Sequence, residues 1–243
     1  MPKRVRRRSR TLRQHGGGGP SVHLVVARYM EPVDWLAALP RDLVKDITMY
    51  NKGDPIESVP NGVIVRTLPN LGYEGHTYLT FITENYNNLP DYTIFVPGST
   101  WKAAHKLKAF LQLLIEFRKQ PRSLIRGFFP PQDLEFLKSF TLDSYVVSNT
   151  DNRVANPTSE VVPAEDRPLG VWLSKRMPGQ EIEIESYNGV FIVSREDLRK
   201  SPKLFYEGLL QELQVPNPEV IHYMERVWGH LLHIPRSGWI KHT

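Results

Sequence analysis

Apolar and polar positions along this chain switch repeatedly between a period of two and a period near 3.6, and the switches mark its elements. Val22–Ala27 is a compact apolar strand, followed by the polar Arg28-Tyr29-Met30-Glu31 at its carboxyl end. Pro32 and the run Val33–Leu39 predict a short helix that carries Trp35 inward. Asp46–Tyr50 is a second strand, Asn51-Lys52-Gly53-Asp54-Pro55 a dense turn, and Val63–Thr67 a third strand. Pro69, Asn70 and Gly72 punctuate another turn. From Thr77 the residues Tyr78, Leu79, Ile82 and Tyr86 recur at helical spacing until Asn87, Asn88 and Pro90. Tyr92–Val96 then has the β-branched and aromatic character of an interior strand, ended by Pro97-Gly98. The rhythm of strand, short helix, strand, strand, helix and strand predicts a largely parallel α/β sheet with polar loops gathered at one edge. The loop ahead of the second helix offers Asn70, Glu74 and His76 beside a glycine. In open α/β sheets such strand-end loops form the ligand crevice.

The second half reads less regularly. Trp101–Lys119 predicts a long helix whose buried side carries Ala104, Leu107, Leu111, Leu114, Ile115 and Phe117, with Lys102, Lys106 and Lys108 on a solvated face. Phe128–Pro131 is an irregular apolar turn, Asp133–Phe140 a short helix, and residues 149–168 a long surface loop. Ile182 and Ile184 alternate with Glu181, Glu183 and Glu185, as in a half-wet strand. Asn188-Gly189 is a hairpin-turn dipeptide leading to the buried run Val190–Val193. Ser194 with Asp197 predicts a helix N-cap. Ser201-Pro202 and Asn217-Pro218 open two more helices, Lys203–Leu213 and Glu219–His233. In the last helix Met224, Val227, Trp228 and Leu231 make the apolar stripe, with His222, Glu225 and Gly229 on a flanking face.

Charge changes the picture at one end. The chain has 243 residues and a formal net charge of +5. Lys3, Arg4, Arg6, Arg7, Arg8, Arg10 and Arg13 fall within the first fourteen residues, which contain no acid. Removing those seven from the 31 basic residues leaves 24 against 26 acidic, a net of −2. Residues 1–20 therefore read as a basic arm with a glycine hinge, and residues 21–243 as a single near-neutral domain. Polyanion binding is expected of the arm alone. The absence of cysteine excludes disulfides and thiolate metal sites and fits an intracellular, reducing compartment. Neither a transmembrane run nor a signal-peptide core is expected.

The chemistry is narrowed by what is missing. There is no Walker loop, G-x-G-x-x-G, G-x-S-x-G or H-E-x-x-H motif. An Asp-x-Asp pair for a metal–pyrophosphate bridge is expected just after Phe95, where the chain reads Val96-Pro97-Gly98-Ser99. No metal and no other cofactor is therefore expected.

VVARYMEPVDWL, MYNKGDP, LPNLGYEGHTYLTFITENYNNLPDYTIFVPGS, YNGVFIVSRE and NPEVIHYMERVWG occur in that order between Val22 and Leu232. These blocks resemble the DUF3431 family, whose members are similar to nucleotide-sugar glycosyltransferases of the GT-A fold. The resemblance implies a three-layer α/β domain with a mostly parallel central sheet. It implies a glycosyltransferase with a nucleotide-sugar donor and a sugar or protein acceptor. Arg28, Glu31, Asn51, Lys52, Gly53, Asp54, Asn70, Gly72, Glu74 and His76 would then surround the donor, with Lys52 offsetting diphosphate charge. Glu225 would be the general base. Asn188, Gly189, His222 and Arg226 would lie on the acceptor side. The chain departs from the family pattern at Met30, Tyr73 and Pro97.

Each of these residues also has a plainer reading. Asn51–Asp54 makes a tight turn, Glu225 with Arg226 a surface helix pair, and His76 an interior histidine. Trp35, Trp172 and Trp228 belong in a core. In the rival reading the chain is a non-catalytic assembly protein, such as a virion component, that retains the fold. Its arm, through Arg4, Arg6, Arg7, Arg8, Arg10 and Arg13, would then bind nucleic acid or an acidic partner.

Overall fold

The computed structural model describes Pro20, residues 22–146 and residues 160–242. The predicted basic arm, and the larger part of the predicted loop at 149–168, lie outside the described residues.

The strands are β1 (Val22–Arg28), β2 (Val44–Asn51), β3 (Val63–Thr67), β4 (Tyr92–Pro97), β5 (Leu124–Phe128), β6 (Glu185–Ser194) and β7 (Trp239–Lys241). They form one seven-stranded sheet in the order β3-β2-β1-β4-β6-β5-β7. Only β6 runs against its neighbours, pairing antiparallel with β4 and β5. The helices are α1 (Tyr73–Asn85), α2 (Ala104–Lys119), α3 (Leu134–Ser139), α4 (Leu169–Arg176), α5 (Arg195–Leu198), α6 (Lys203–Gln211) and α7 (Glu219–Leu231).

The alternation of β1 explains the three layers. Val22, Leu24 and Val26 face a core completed by Trp35 and by Phe110, Leu113 and Phe117 of α2. Val25 and Ala27 face the opposite core, with Tyr78 and Ile82 of α1, Leu209 of α6 and Met224 and Trp228 of α7. A strand buried on both faces needs an unbroken apolar run, which VHLVVA supplies. Among the described residues, no helix is long and apolar enough to cross a membrane.

Several expectations need correction. Asn188-Gly189 is no hairpin turn. It lies inside β6, where the register against β5 slips between Ile125 and Gly127. Both residues have positive φ (78° and 60°), so the dipeptide builds a bulge rather than a chain reversal. The alternating residues Ile182 and Ile184 are buried outside any strand. On α2, Leu111 and Ile115 are exposed, while Ala109, Phe110 and Leu113 are buried, because its contact stripe is rotated from the one expected. Trp101 precedes that helix and is half exposed. α1 starts at Tyr73, four residues before the expected Thr77, because its first turn faces the cleft described below and carries no apolar period. Residues 160–164 of the expected surface loop pack inward at Val161 and Ala164. β5, α4 and β7 were not predicted at all.

Candidate functional site

The strand order reverses at β1: the chain moves outward on one side through β2 and β3, then returns to place β4 on the other side. A crevice opens at the carboxyl ends of parallel strands where the order reverses, since the following loops diverge there. A cleft occupies this position. It encloses about 160 Å³, or about 870 Å³ with the space open to solvent at its mouth. Its walls come from the ends of β1 (Ala27, Arg28), β2 (Lys52) and β4 (Pro97, Ser99), from Glu74 at the start of α1, and from His222 and Glu225 of α7.

Seven of the predicted site residues meet there: Arg28, Glu31, Lys52, Asn70, Glu74, His222 and Glu225. Lys52 is 9% exposed, and its Nζ donates to the Leu71 carbonyl (2.6 Å) and to the Tyr73 carbonyl. Burial pulls the ammonium down to about pKa 7, against the pull of Glu74. Glu31 accepts from the Tyr29 amide at 2.8 Å, and its carboxylate lies against Gly98, where a Cβ would stand 2.7 Å from Oε2. Glu225 accepts from the Asn188 amide at 3.1 Å. Burial raises its pKa, the charge of Glu74 raises it further, and Arg226 and Lys106 oppose the rise. The Glu74 carboxylate abuts Gly189. The β6 bulge thus touches both acids, through the amide of Asn188 and the missing side chain of Gly189.

His222 is 8% exposed and its Nε2 has no partner among the described residues. Its ring packs between Tyr145 (4.4 Å) and Tyr73 (6.2 Å). Burial, with Arg226 nearby, holds it neutral down to about pKa 4.

The other predicted residues sit outside the cleft wall. Asn51 is buried and braces its own turn. Its Nδ2 donates to the Asp54 carbonyl (2.8 Å) and the Gly53 carbonyl (3.2 Å), and its Oδ1 accepts from Arg28 (2.5 Å). Gly53 is required sterically, because a Cβ there would stand 2.1 Å from the Tyr29 carbonyl oxygen. Asp54 contributes backbone to that turn. Gly72 caps α1 in the left-handed region, φ 52°, against Leu213. His76 points from α1 into the interior, where burial lowers it to about pKa 4. Arg226 turns away from the cleft and stacks on Phe140, 3.8 Å from the ring centroid, while donating to the His222 carbonyl. Asn188 and Gly189 support the two acids from behind.

The cleft also includes residues that sequence reading missed. Lys106, read as part of a solvated face, donates to Ser99 Oγ at 3.1 Å and lines the wall. Tyr73, noted only as a departure, has φ 47°, an uncommon backbone state for a tyrosine. Its hydroxyl donates to Asn217 Oδ1 at 2.9 Å. The helix period of α2 carries the signal for Lys106 once the true contact stripe is known. No sequence signal marks Tyr145. Among the described residues, no three His, Asp or Glu side chains gather as a metal ion would need.

The fold and cleft define an α/β protein with mixed lysine and carboxylate chemistry at a strand-order reversal. A family model described as "Protein of unknown function (DUF3431)" matches residues 24–119, from β1 through the end of α2, and supports that family resemblance there. No curated protein matches the sequence significantly. Among solved structures, the chain is similar to glucosyl-3-phosphoglycerate synthase from Mycobacterium tuberculosis in complex with Mn2+, uridine diphosphate and phosphoglyceric acid. The TM-score is 0.36 and the identity 12%, over 74% of this chain and 57% of that one. A second structure of that synthase, with phosphoglyceric acid, gives 0.36 and 11%, over 82% and 69%.

Proposed function

We propose that this chain is a glycosyltransferase that binds a nucleotide-sugar donor in the switch-point cleft. One observation carries the reading: two lysines, Lys52 and Lys106, and two carboxylates, Glu74 and Glu225, from four separate elements converge on a single open cleft. A nucleotide sugar needs both kinds of group. The diphosphate calls for cations, and the transfer calls for a base.

In the proposed step the Glu225 carboxylate takes the proton of the acceptor hydroxyl as its oxygen bonds to the anomeric carbon. The bond from that carbon to the diphosphate breaks, and the diphosphate leaves with the electron pair. Lys52 and Lys106 meet its charge without a metal ion. The raised pKa of Glu225 makes it a stronger base than an exposed glutamate. His222, whose Nε2 has no partner among the described residues and whose ring has aromatic neighbours, receives the sugar or base.

A thermal-shift screen with UDP-, GDP- and dTDP-sugars, each with and without Mn2+, tests the reading. Stabilisation by one donor regardless of Mn2+ is the expected result. No response to any donor sinks it.

One observation favours a second reading. The Arg28 guanidinium, expected to face the donor, is held by Asn51 Oδ1 and the carbonyls of Tyr29 and Glu31. A group spent on bracing the fold suits a non-catalytic assembly protein. That reading predicts silence throughout the screen.

A further inference from the structure

Arg126 lies in the middle of β5 and is 3% exposed, yet its Nε and Nη2 have no hydrogen-bond partner among the described residues. A guanidinium has five donors and cannot shed its charge. Burying it unpaired is among the more destabilising arrangements in a fold, unless something anionic completes it. The alternation of β5 sets its direction. Leu124 belongs to the α2-side core and Ile125 to the opposite one, so Arg126 faces the α2 side.

Its neighbours there are basic. Phe128, two residues on and on the same face, stacks on His242 at 4.8 Å, and the His242 amide donates to the Gly127 carbonyl at 2.8 Å. Burial, and after it the charges of Arg126, Lys108 and His105, lower the pKa of the His242 ring. His105 and Lys108 belong to the first turns of α2. That helix has no side-chain cap and no acidic residue in its first turn. A helix start normally attracts negative charge, and this one has gathered cations instead. Both side chains are exposed, so solvent reaches the rim of the cluster.

We propose that Arg126, His105, Lys108 and His242 form a binding site for a phosphate-like oxyanion, separate from the cleft. The inference does not depend on the nucleotide-sugar reading. The oxyanion is a free inorganic ion or the phosphate of a larger molecule, and the shared chemistry is a tetrahedral anion facing a guanidinium fork.

The test is calorimetric titration of the full chain with inorganic phosphate, and separately with glucose 6-phosphate, at ionic strength held constant with chloride. Wild type is compared with R126M, K108A and the control K203A, an exposed lysine of α6 outside both the cluster and the cleft. Binding that falls at least fivefold in K108A, is lost in R126M and is unchanged in K203A supports the site. Tighter binding of the sugar phosphate than of phosphate identifies a phosphorylated molecule as the natural occupant. Tighter or equal binding of phosphate identifies the free ion. R126M removes an unpaired buried charge, so it is expected to fold and, without phosphate, to melt no lower than wild type. Equal binding in wild type and R126M, an equal loss in K203A and K108A, or no binding in wild type would overturn the proposal.

Discussion

Glu225 stands between two acidic influences, its own burial and the neighbouring charge of Glu74, and both hold its proton more tightly than water would. For a general base this sets the lower limit of the working pH. E225Q is expected to reduce transfer about 10²- to 10⁴-fold, with donor binding unchanged within a factor of two. E74Q removes the like charge, so the acid limb of kcat/KM should move to lower pH. A limb that stays in place would detach Glu74 from the base. Lys52 gives a second residue-scale prediction, on stability. Its ammonium has a folded pKa of about 7, below the ordinary lysine value of 10.5. Between those values the unfolded chain binds more protons than the folded one, so stability rises with pH from about 7 to about 10.5. Urea midpoints across that range measure the slope, which should vanish in K52M. Glu74 and Lys52 were legible in the sequence as polar residues after a strand or at a helix start. Lys106 was not, because a lysine on a helix is assigned to solvent until the packing stripe is known.

At the scale of elements, the cleft depends on where α1 begins. Gly72 and Tyr73 both have positive φ, and this double left-handed entry turns Glu74 toward α7. A Cβ at Gly72 would stand 2.6 Å from Leu213 Cβ, so G72A is expected to cost about 1–3 kcal/mol of stability. Gly208 makes the matched control. It lies in α6 with nothing within 4 Å of an added Cβ, so G208A should stabilise by about 0.4–1 kcal/mol. Denaturant unfolding of both variants checks the pair, and equal effects would refute the argument. The first four strands followed the sequence closely because each is buried on at least one face or bounded by strong turn signals. β6 misled because Asn-Gly favours positive φ, and a bulge uses that preference as readily as a hairpin does. β5 and β7 are short, and β5 contains an arginine and a glycine, so neither shows a period.

For the whole molecule, acid is the expected weakness. His76, His222 and His230 are buried and held neutral down to about pKa 4. Unfolded, each would bind a proton near the ordinary value of 6.5. The folded state therefore loses stability as pH falls from about 6.5 to about 4. Melting temperatures over that interval should drop steeply, and replacing His76 with an apolar residue of similar size should reduce the drop. A flat profile would contradict the burial of these rings as neutral groups. The sequence alone determined the α/β class, the parallel strands β1 to β4, the helix starts marked by Ser194 and Pro218, and the polar loops at strand ends. These follow from local period and turn chemistry. Tertiary structure decided which polar residues meet. Asn51, Gly53, His76 and Arg226 carry the same sequence signal as Lys52, Glu74 and Glu225, but packing turned the first group into braces and the second into a cleft wall. Nothing local specifies that choice, because it depends on a sheet order that brings β1, β2, β4 and α7 to one edge.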